Sequence, residues 1–151
     1  MSARSVKDPA PAGRPRRDGR HRGREAALQI LYQWEVGRTP IDEAVETFWS
    51  LQPPGAVAEK VRSFAAALAR GVVEHVAEID PLIATSAEHW RLSRMAIVDR
   101  LVMRLAVYEF LHCKDIPVMV TINEAIELGK RFSTGESGAF SGSTRSSPQL
   151  G

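Results

Sequence analysis

Between Met95 and Phe132 the chain reads MAIVDRLVMRLAVYEFLHCKDIPVMVTINEAIELGKRF. Across residues 95 to 113 the apolar run is broken by Asp99, Arg100, Arg104, Glu109 and His112 alone. At 100° per residue, Asp99, Arg100 and Arg104 fall in one sector and leave Ile97, Val98, Leu101, Val102, Leu105 and Ala106 for burial. So thin a polar stripe belongs to a helix at the centre of a bundle. Pro117 ends this helix, because the residue before a proline is pushed out of the helical region. A second helix is expected to open at Thr121, where Thr121 to Glu124 has the form of a capping box. It carries Ile122, Ala125, Ile126, Gly129 and Phe132 at helical spacing and an i,i+4 pair, Glu127 and Arg131. The expectation is a buried helical hairpin around which the remaining helices pack.

The rest of the chain supplies those helices. Ala27, Leu28, Leu31 and Trp34 form one stripe from about Gly23 onward, with Ile30 at its edge, and Gly37 followed by Pro40 supplies the stop. A second helix begins near Ile41, with Thr39 as N-cap and Pro40 at its first position. Ala44, Val45, Phe48, Trp49 and Leu51 are its inward residues, and Pro53-Pro54-Gly55 closes it. A third runs from about Val57 to Val76 with Val61, Phe64, Ala65, Leu68, Val72 and His75 on its stripe. A short fourth, roughly Ile79 to Glu88, carries Leu82 and Ile83, and Trp90 and Leu92 lead into the hairpin. No period-2 run exceeds four residues and there is no Asn-Gly or Asp-Gly turn. The fold class is all-α, without internal repeats.

Charge divides the chain more sharply than its net +2 implies. Residues 1–24 carry +6 and the remaining 127 residues carry −4. Residues 1–19, rich in proline, glycine and basic side chains and without a hydrophobic period, read as a disordered basic arm. Such an arm on a mildly acidic body suits a polyanion. The arginines Arg14, Arg16, Arg17, Arg20, Arg22 and Arg24 suit phosphates because a guanidinium presents a planar, permanently charged fork. Length fits one domain with a full core. The single cysteine, Cys113, allows no internal disulfide and reads as a small packed group near the end of the central helix. There is no apolar run of ~18 residues for a membrane span and no secretory signal, so the expected location is the cytoplasm.

No catalytic constellation emerges, and no cofactor is implied. His21, His75, His89 and His112 are scattered and show no His-x-x-x-His pair, so each reads as a surface or packed residue and no metal site is expected. Gly135 to Gly138 lacks the lysine and preceding strand of a phosphate loop. Tyr32, two turns along the first helix, reads equally as a core aromatic with a wet hydroxyl or as a base-stacking ring. Glu109 lies away from the Asp99/Arg104 sector. A buried carboxylate needs partners, so Glu109 reads as structural.

Two segments carry a resemblance. Arg104-Leu-Ala-Val-Tyr-Glu109, then Pro117, then Ile122-Asn-Glu-Ala-Ile-Glu-Leu128 is similar to the signature of the NusB family of transcription antitermination factors. Arg24-Glu-Ala-Ala-Leu-Gln-Ile-Leu-Tyr-Gln-Trp34 looks like that family's first helix. The likeness spans roughly residues 20 to 140. It implies two small helical bundles set at an angle, and binding of single-stranded boxA RNA together with the ribosomal protein NusE. The pair would then join the elongating RNA polymerase complex with other Nus factors, chiefly on ribosomal RNA operons. Homodimers of some family members make self-association a further implied state. Residue by residue, the resemblance points to Arg20, Arg22 and Arg24, with Tyr32, Asp99, Arg100 and Glu136, as the RNA-binding set.

The tail departs from the pattern. In the family, a phenylalanine equivalent to Phe140 begins a last helix, whereas here Ser-Gly-Ser-Thr-Arg-Ser-Ser-Pro-Gln-Leu-Gly follows. Loss of that helix would expose apolar surface on the hairpin and destabilise the protein by several kcal/mol at ~25 cal/mol per Å2. The organisation expected is thus an arm over 1–19, a helical RNA-binding domain over 20–140 and a low-complexity tail over 141–151. Two rivals remain. A NusB-like domain also precedes the catalytic domain of certain ribosomal RNA cytosine methyltransferases, although neither a cofactor-binding domain nor a catalytic cysteine follows here. The helices could also bind protein partners alone, with the arm incidental.

Overall fold

The computed structural model describes residues 19–86 and 95–132. These form five helices: α1 (Gly19–Val36), α2 (Ile41–Ser50), α3 (Glu59–Ser86), α4 (Ile97–His112) and α5 (Val118–Phe132). Among the described residues there is no strand, as the absence of a period-2 pattern implies. Among the described residues, no helix is long and apolar enough to cross a membrane.

One hydrophobic core joins all five helices. Ala27, Leu28, Ile30 and Leu31 from α1 meet Leu68, Ala69 and Val72 from α3, Leu101, Val102 and Leu105 from α4, and Leu128 and Phe132 from α5. Ala44 and Val45 of α2 close one end. The α4 stripe expected from the sequence is the one buried: Leu101 and Leu105 are nearly inaccessible, and Ile97 and Val98 pack at the margin. Helix α3 packs against both α1 and α4, which also touch each other, while α2 covers α1 and α3, and α5 packs back on α4. Burying seven large side chains almost completely, among them Leu28, Ile30 and Leu31, contributes about 1.5–3 kcal/mol each.

Several local expectations give way to tertiary structure. The third and fourth helices are one, because Val72, Ile79 and Ile83 continue a single buried stripe past residue 76. Pro81 sits within this helix, and both Pro81 and Ala77, whose carbonyl loses its partner, are exposed where water can replace the bond. Helix α5 begins at Val118, not Thr121: the amides of Val120 and Thr121 both bond the Pro117 carbonyl. Thr121 is therefore inside the first turn and buried, so its hydroxyl is not a cap. Thr39 does not cap α2 either. Pro40 occupies the N-cap, no side chain bonds the first turn, and the Thr39 hydroxyl points back to the Gly37 carbonyl. Leu51 and Ile126, expected inside, are exposed. Helix α4 stops at His112, five residues before Pro117, and a turn over 113–116 carries the chain into α5. The arm, Trp90, Leu92, the 134–137 loop, Phe140 and the tail lie outside the described residues.

Candidate nucleic-acid interface

The amino end of α1 presents three arginines of the expected RNA-binding set in different ways. At 100° per residue, Arg20 and Arg24 lie 40° apart on the face turned to the bundle, while Arg22 lies on the opposite side. Arg22 is exposed. Arg20 remains exposed because it sits at the very start of the helix, where its guanidinium reaches the still more open Asp115 at 3.5 Å. Arg24, one turn further in, is 3% exposed.

The buried arginine forms a closed triad. Arg24 Nε donates to Glu109 Oε2 at 2.7 Å and its Nη2 to Oε1 at 3.0 Å, a two-bond fork. Thr121 Oγ1 donates to the same Oε1 at 2.8 Å. Glu109 is 2% exposed, so the structural role expected of it is realised. Arg24, named in the expected RNA-binding set, is thus placed inside the protein and not on its surface. Its fork is committed to Glu109 inside the protein, and a phosphate could not take it without leaving a buried carboxylate unpaired. The sequence pattern missed this because Arg-x-Arg-x-Arg looks uniform until the helix is placed against its neighbours.

Gly23 enables the packing around this triad. A Cβ there would fall 2.6 Å from the Phe64 ring, so glycine lets α1 approach α3. Phe64 then lies under two cations, with the Arg20 and Arg24 guanidinium carbons 5.3 and 5.6 Å from its centroid. Beside them is a cleft of about 420 Å3 lined by Gly19, Arg20, Lys60, Val61 and Phe64. Lys60 is exposed and sits one helical turn before Phe64. Two cations and an aromatic ring thus converge, and neither Lys60 nor Phe64 belonged to the expected set. Phe64 was read as core stripe, and no linear signal ties Lys60 to the arm.

Carboxylates flank this end as well. His21 lies between Glu124, at 2.7 Å, and Glu25, at 3.1 Å. Arg131 reaches Glu25 at 3.6 Å. Burial, reinforced by Glu109 and Asp115, pushes the Cys113 thiol above its usual pKa despite the nearby Arg24 and Arg20. Cys113 is half-buried, in keeping with a packed group.

The remaining expected residues lie at the other end of α1. Tyr32 is partly buried and packs against the core, ten residues from Arg22 and so ~15 Å further along the axis. Arg100 donates to Glu35 at 2.8 Å, and Asp99 is half-buried in the same first turns of α4. Arg104 makes a two-bond fork to Asp80, both at 2.8 Å, and a third bond to Glu35 at 3.2 Å. Burial pulls the Arg104 pKa down, but Asp80 and Glu35 outweigh it and hold it above the usual arginine value. The structure therefore places Arg20 and Arg22 at one end of α1, on opposite sides of it, and Tyr32 with the first turns of α4 that carry Asp99 and Arg100 toward the other. Glu136 lies outside the described residues.

Comparison with known proteins converges on one family. The family model described as the NusB family matches residues 21–143. A transcription antitermination protein NusB from Anaeromyxobacter dehalogenans is 50% identical over 121 residues, covering 80% of this chain and 83% of that protein. The solved T. maritima NusB superposes with a TM-score of 0.69 at 40% identity, covering 80% of this chain and 83% of that one. A structure of the antitermination factors NusB and NusE in complex with double-stranded RNA matches with a TM-score of 0.68 at 23% identity, over 81% and 89% of the two chains, a likeness of fold. The relatives are named for a role in transcription, not for a catalysed reaction.

Proposed function

The chain belongs to the NusB family, and from that premise we propose that it is a non-enzymatic antitermination factor that binds single-stranded boxA RNA. It acts in the cytoplasm together with NusE, and the pair joins the elongating RNA polymerase complex with other Nus factors, chiefly on ribosomal RNA operons. The observation that carries this reading is the amino end of α1. There Arg20 and Arg22 stand exposed at the root of the basic arm, and Lys60 and Phe64 line the adjoining cleft.

In the proposed complex the arm over 1–19 and the exposed arginines neutralise phosphates, while the domain over 20–140 holds them in place. Tyr32, Asp99, Arg100 and Glu136 extend the RNA surface beyond the α1 root. Arg24 acts through Glu109, as a positioning residue that fixes the helix bearing Arg20 and Arg22. The NusB relative solved with NusE and RNA has this fold, which supports the same pairing here. Val118, Met119, Val120 and Ile126 on α5, with Phe110 on α4, are exposed apolar side chains suited to a protein partner. The named relatives favour this reading over the methyltransferase domain.

The test is fluorescence anisotropy with a labelled boxA-like RNA and a scrambled control, across salt, with and without NusE. Selective binding that NusE strengthens is expected, with the log of the binding constant falling by ~0.7 per neutralised phosphate against log salt. Equal binding to both RNAs would reduce the arm to a nonspecific polycation, and no binding by a folded protein would leave a protein scaffold.

A further inference from the structure

A second cluster lies where α3 meets the carboxyl end of α4. Gly71 starts it. A Cβ at Gly71 would collide with the Tyr108 ring, so glycine lets Tyr108 wedge against α3. That wedge brings His75, one turn after Gly71, to a ring separation of 4.1 Å from His112, one turn after Tyr108. Glu78, three residues after His75 and therefore on the same helical face, approaches His112 Nε2 with its Oε1 at 3.1 Å. One ligand atom from each of His75, Glu78 and His112 lies within 4.8 Å of the others.

The tautomer of His75 is set by a second contact. Its Nδ1 is 2.8 Å from the Gly71 carbonyl, which can only accept, so Nδ1 carries the proton. In the neutral ring the lone pair is then on Nε2. A backbone carbonyl holding one imidazole nitrogen so that the other can bind is the arrangement found behind metal-ligating histidines.

We propose that His75, Glu78 and His112 form a binding site for a divalent transition metal of the zinc class. Two imidazoles and one carboxylate suit Zn2+ and not Mg2+, which prefers an all-oxygen octahedron. Zinc bonds of ~2.0–2.2 Å place tetrahedral donors about 3.3 Å apart. The exposed side chains of Glu78 and His112 close the remaining gap by rotation, and water completes the coordination. Bound metal would clamp α3 to the last turn of α4. The sequence concealed this set: a His-x-x-Glu step and a third ligand 34 residues beyond it have no recognisable linear spacing, so His75 and His112, scattered in sequence, become neighbours only in the fold.

The experiment titrates Zn2+, Co2+ and Mg2+ into the full-length, tag-free protein, with a chromophoric chelator as competitor. One Zn2+ per chain is expected, with no measurable Mg2+ binding, a Co2+ visible spectrum lacking thiolate charge transfer, and a Tm raised by Zn2+. His75→Gln and His112→Gln should each weaken Zn2+ by about tenfold or more. Glu78→Gln, at an exposed position that cannot threaten folding, should weaken it measurably. His21→Ala and Cys113→Ser should leave it unchanged. Absence of one-to-one binding, affinity indifferent to the His75 and His112 substitutions, or affinity lost in Cys113→Ser would each overturn the site. None of these outcomes depends on RNA binding.

Discussion

At the amino end of α1 a guanidinium reaches across to a carboxylate on α4, Arg24 to Glu109. At the carboxyl end of the same helix a carboxylate reaches across to guanidinium groups on α4, Glu35 to Arg100 and Arg104. The signs are exchanged between the two ends. In an antiparallel pair both contacts are attractive. Were the helices parallel, Arg24 would meet Arg100 and Arg104, and Glu35 would meet Glu109. These charges thus specify direction and register, which the apolar stripes leave less sharply defined. The two ends also differ in water. Glu109 is 2% exposed and its bonds come from Arg24 and Thr121, whereas the Glu35 and Asp80 side chains around Arg104 are 25% and 29% exposed.

The sharpest way to break this comparison is to remove one partner at the dry end. Glu109→Ala leaves the buried Arg24 charge with only the more distant Glu124 carboxylate, 3.9 Å away, and should cost about 3–5 kcal/mol in urea unfolding. The double variant Arg24→Met/Glu109→Leu should recover much of that loss, because the charge goes with its partner. If the single variant cost less than a substitution at the wet end, the contrast in burial would not govern the energetics.

Arg104→Met comes next. It removes a fork to Asp80 and a bond to Glu35, but the carboxylates left behind can rehydrate. A loss of about 1.5–3 kcal/mol is expected, smaller than for Glu109→Ala in the same titration. Thr121→Val should follow with about 1 kcal/mol. It deletes one donor to Glu109 while keeping the shape of the side chain and leaving the Arg24 fork intact. A Thr121 effect as large as that of Glu109 would show that the hydroxyl, and not the ion pair, holds the dry end together.

The apolar stripe of α4 was legible in the sequence because periodicity encodes which face is apolar. The burial of Arg104 from its polar sector was not, since that depends on Asp80 and Glu35 from other helices. The apolar stripe of α1 was legible on the same ground, and its Ala27, Leu28 and Leu31 are buried as expected. Which polar residue goes inside was legible for Glu109, an acid off the polar sector of an otherwise apolar helix. It was not legible for Arg24, since its burial depends on a partner 85 residues away. Thr121 failed for a related reason: Thr-x-x-Glu fits a cap locally, yet Pro117 had already supplied the helix start and the hydroxyl was drawn to a buried carboxylate. The break expected between Val76 and Ile79 does not form, because the buried stripe of Val72, Ile79 and Ile83 runs straight across it. At the candidate site, arginine spacing showed where a polyanion could bind, while Lys60 and Phe64 joined it through a helix contact that the sequence does not announce.

The smallest effect on stability is expected just outside the dry end, where the same residue type has the opposite duty. Arg22→Ala removes an exposed side chain and should change unfolding by no more than about 0.5 kcal/mol. If it neutralises one phosphate, the salt slope for boxA-like RNA should drop by ~0.7. Arg24→Ala should do the reverse, lowering stability severely while leaving no change in salt slope in whatever fraction stays folded. Asp115→Asn sharpens the test from the other side. It frees Arg20 from a counter-charge that is itself 71% exposed, so stability should barely move and RNA should bind more tightly at low salt, with the gain fading as salt rises. Unchanged RNA affinity in both Arg22→Ala and Asp115→Asn would take the root of α1 out of the RNA surface, and would leave the exposed and buried arginines alike as parts of the scaffold.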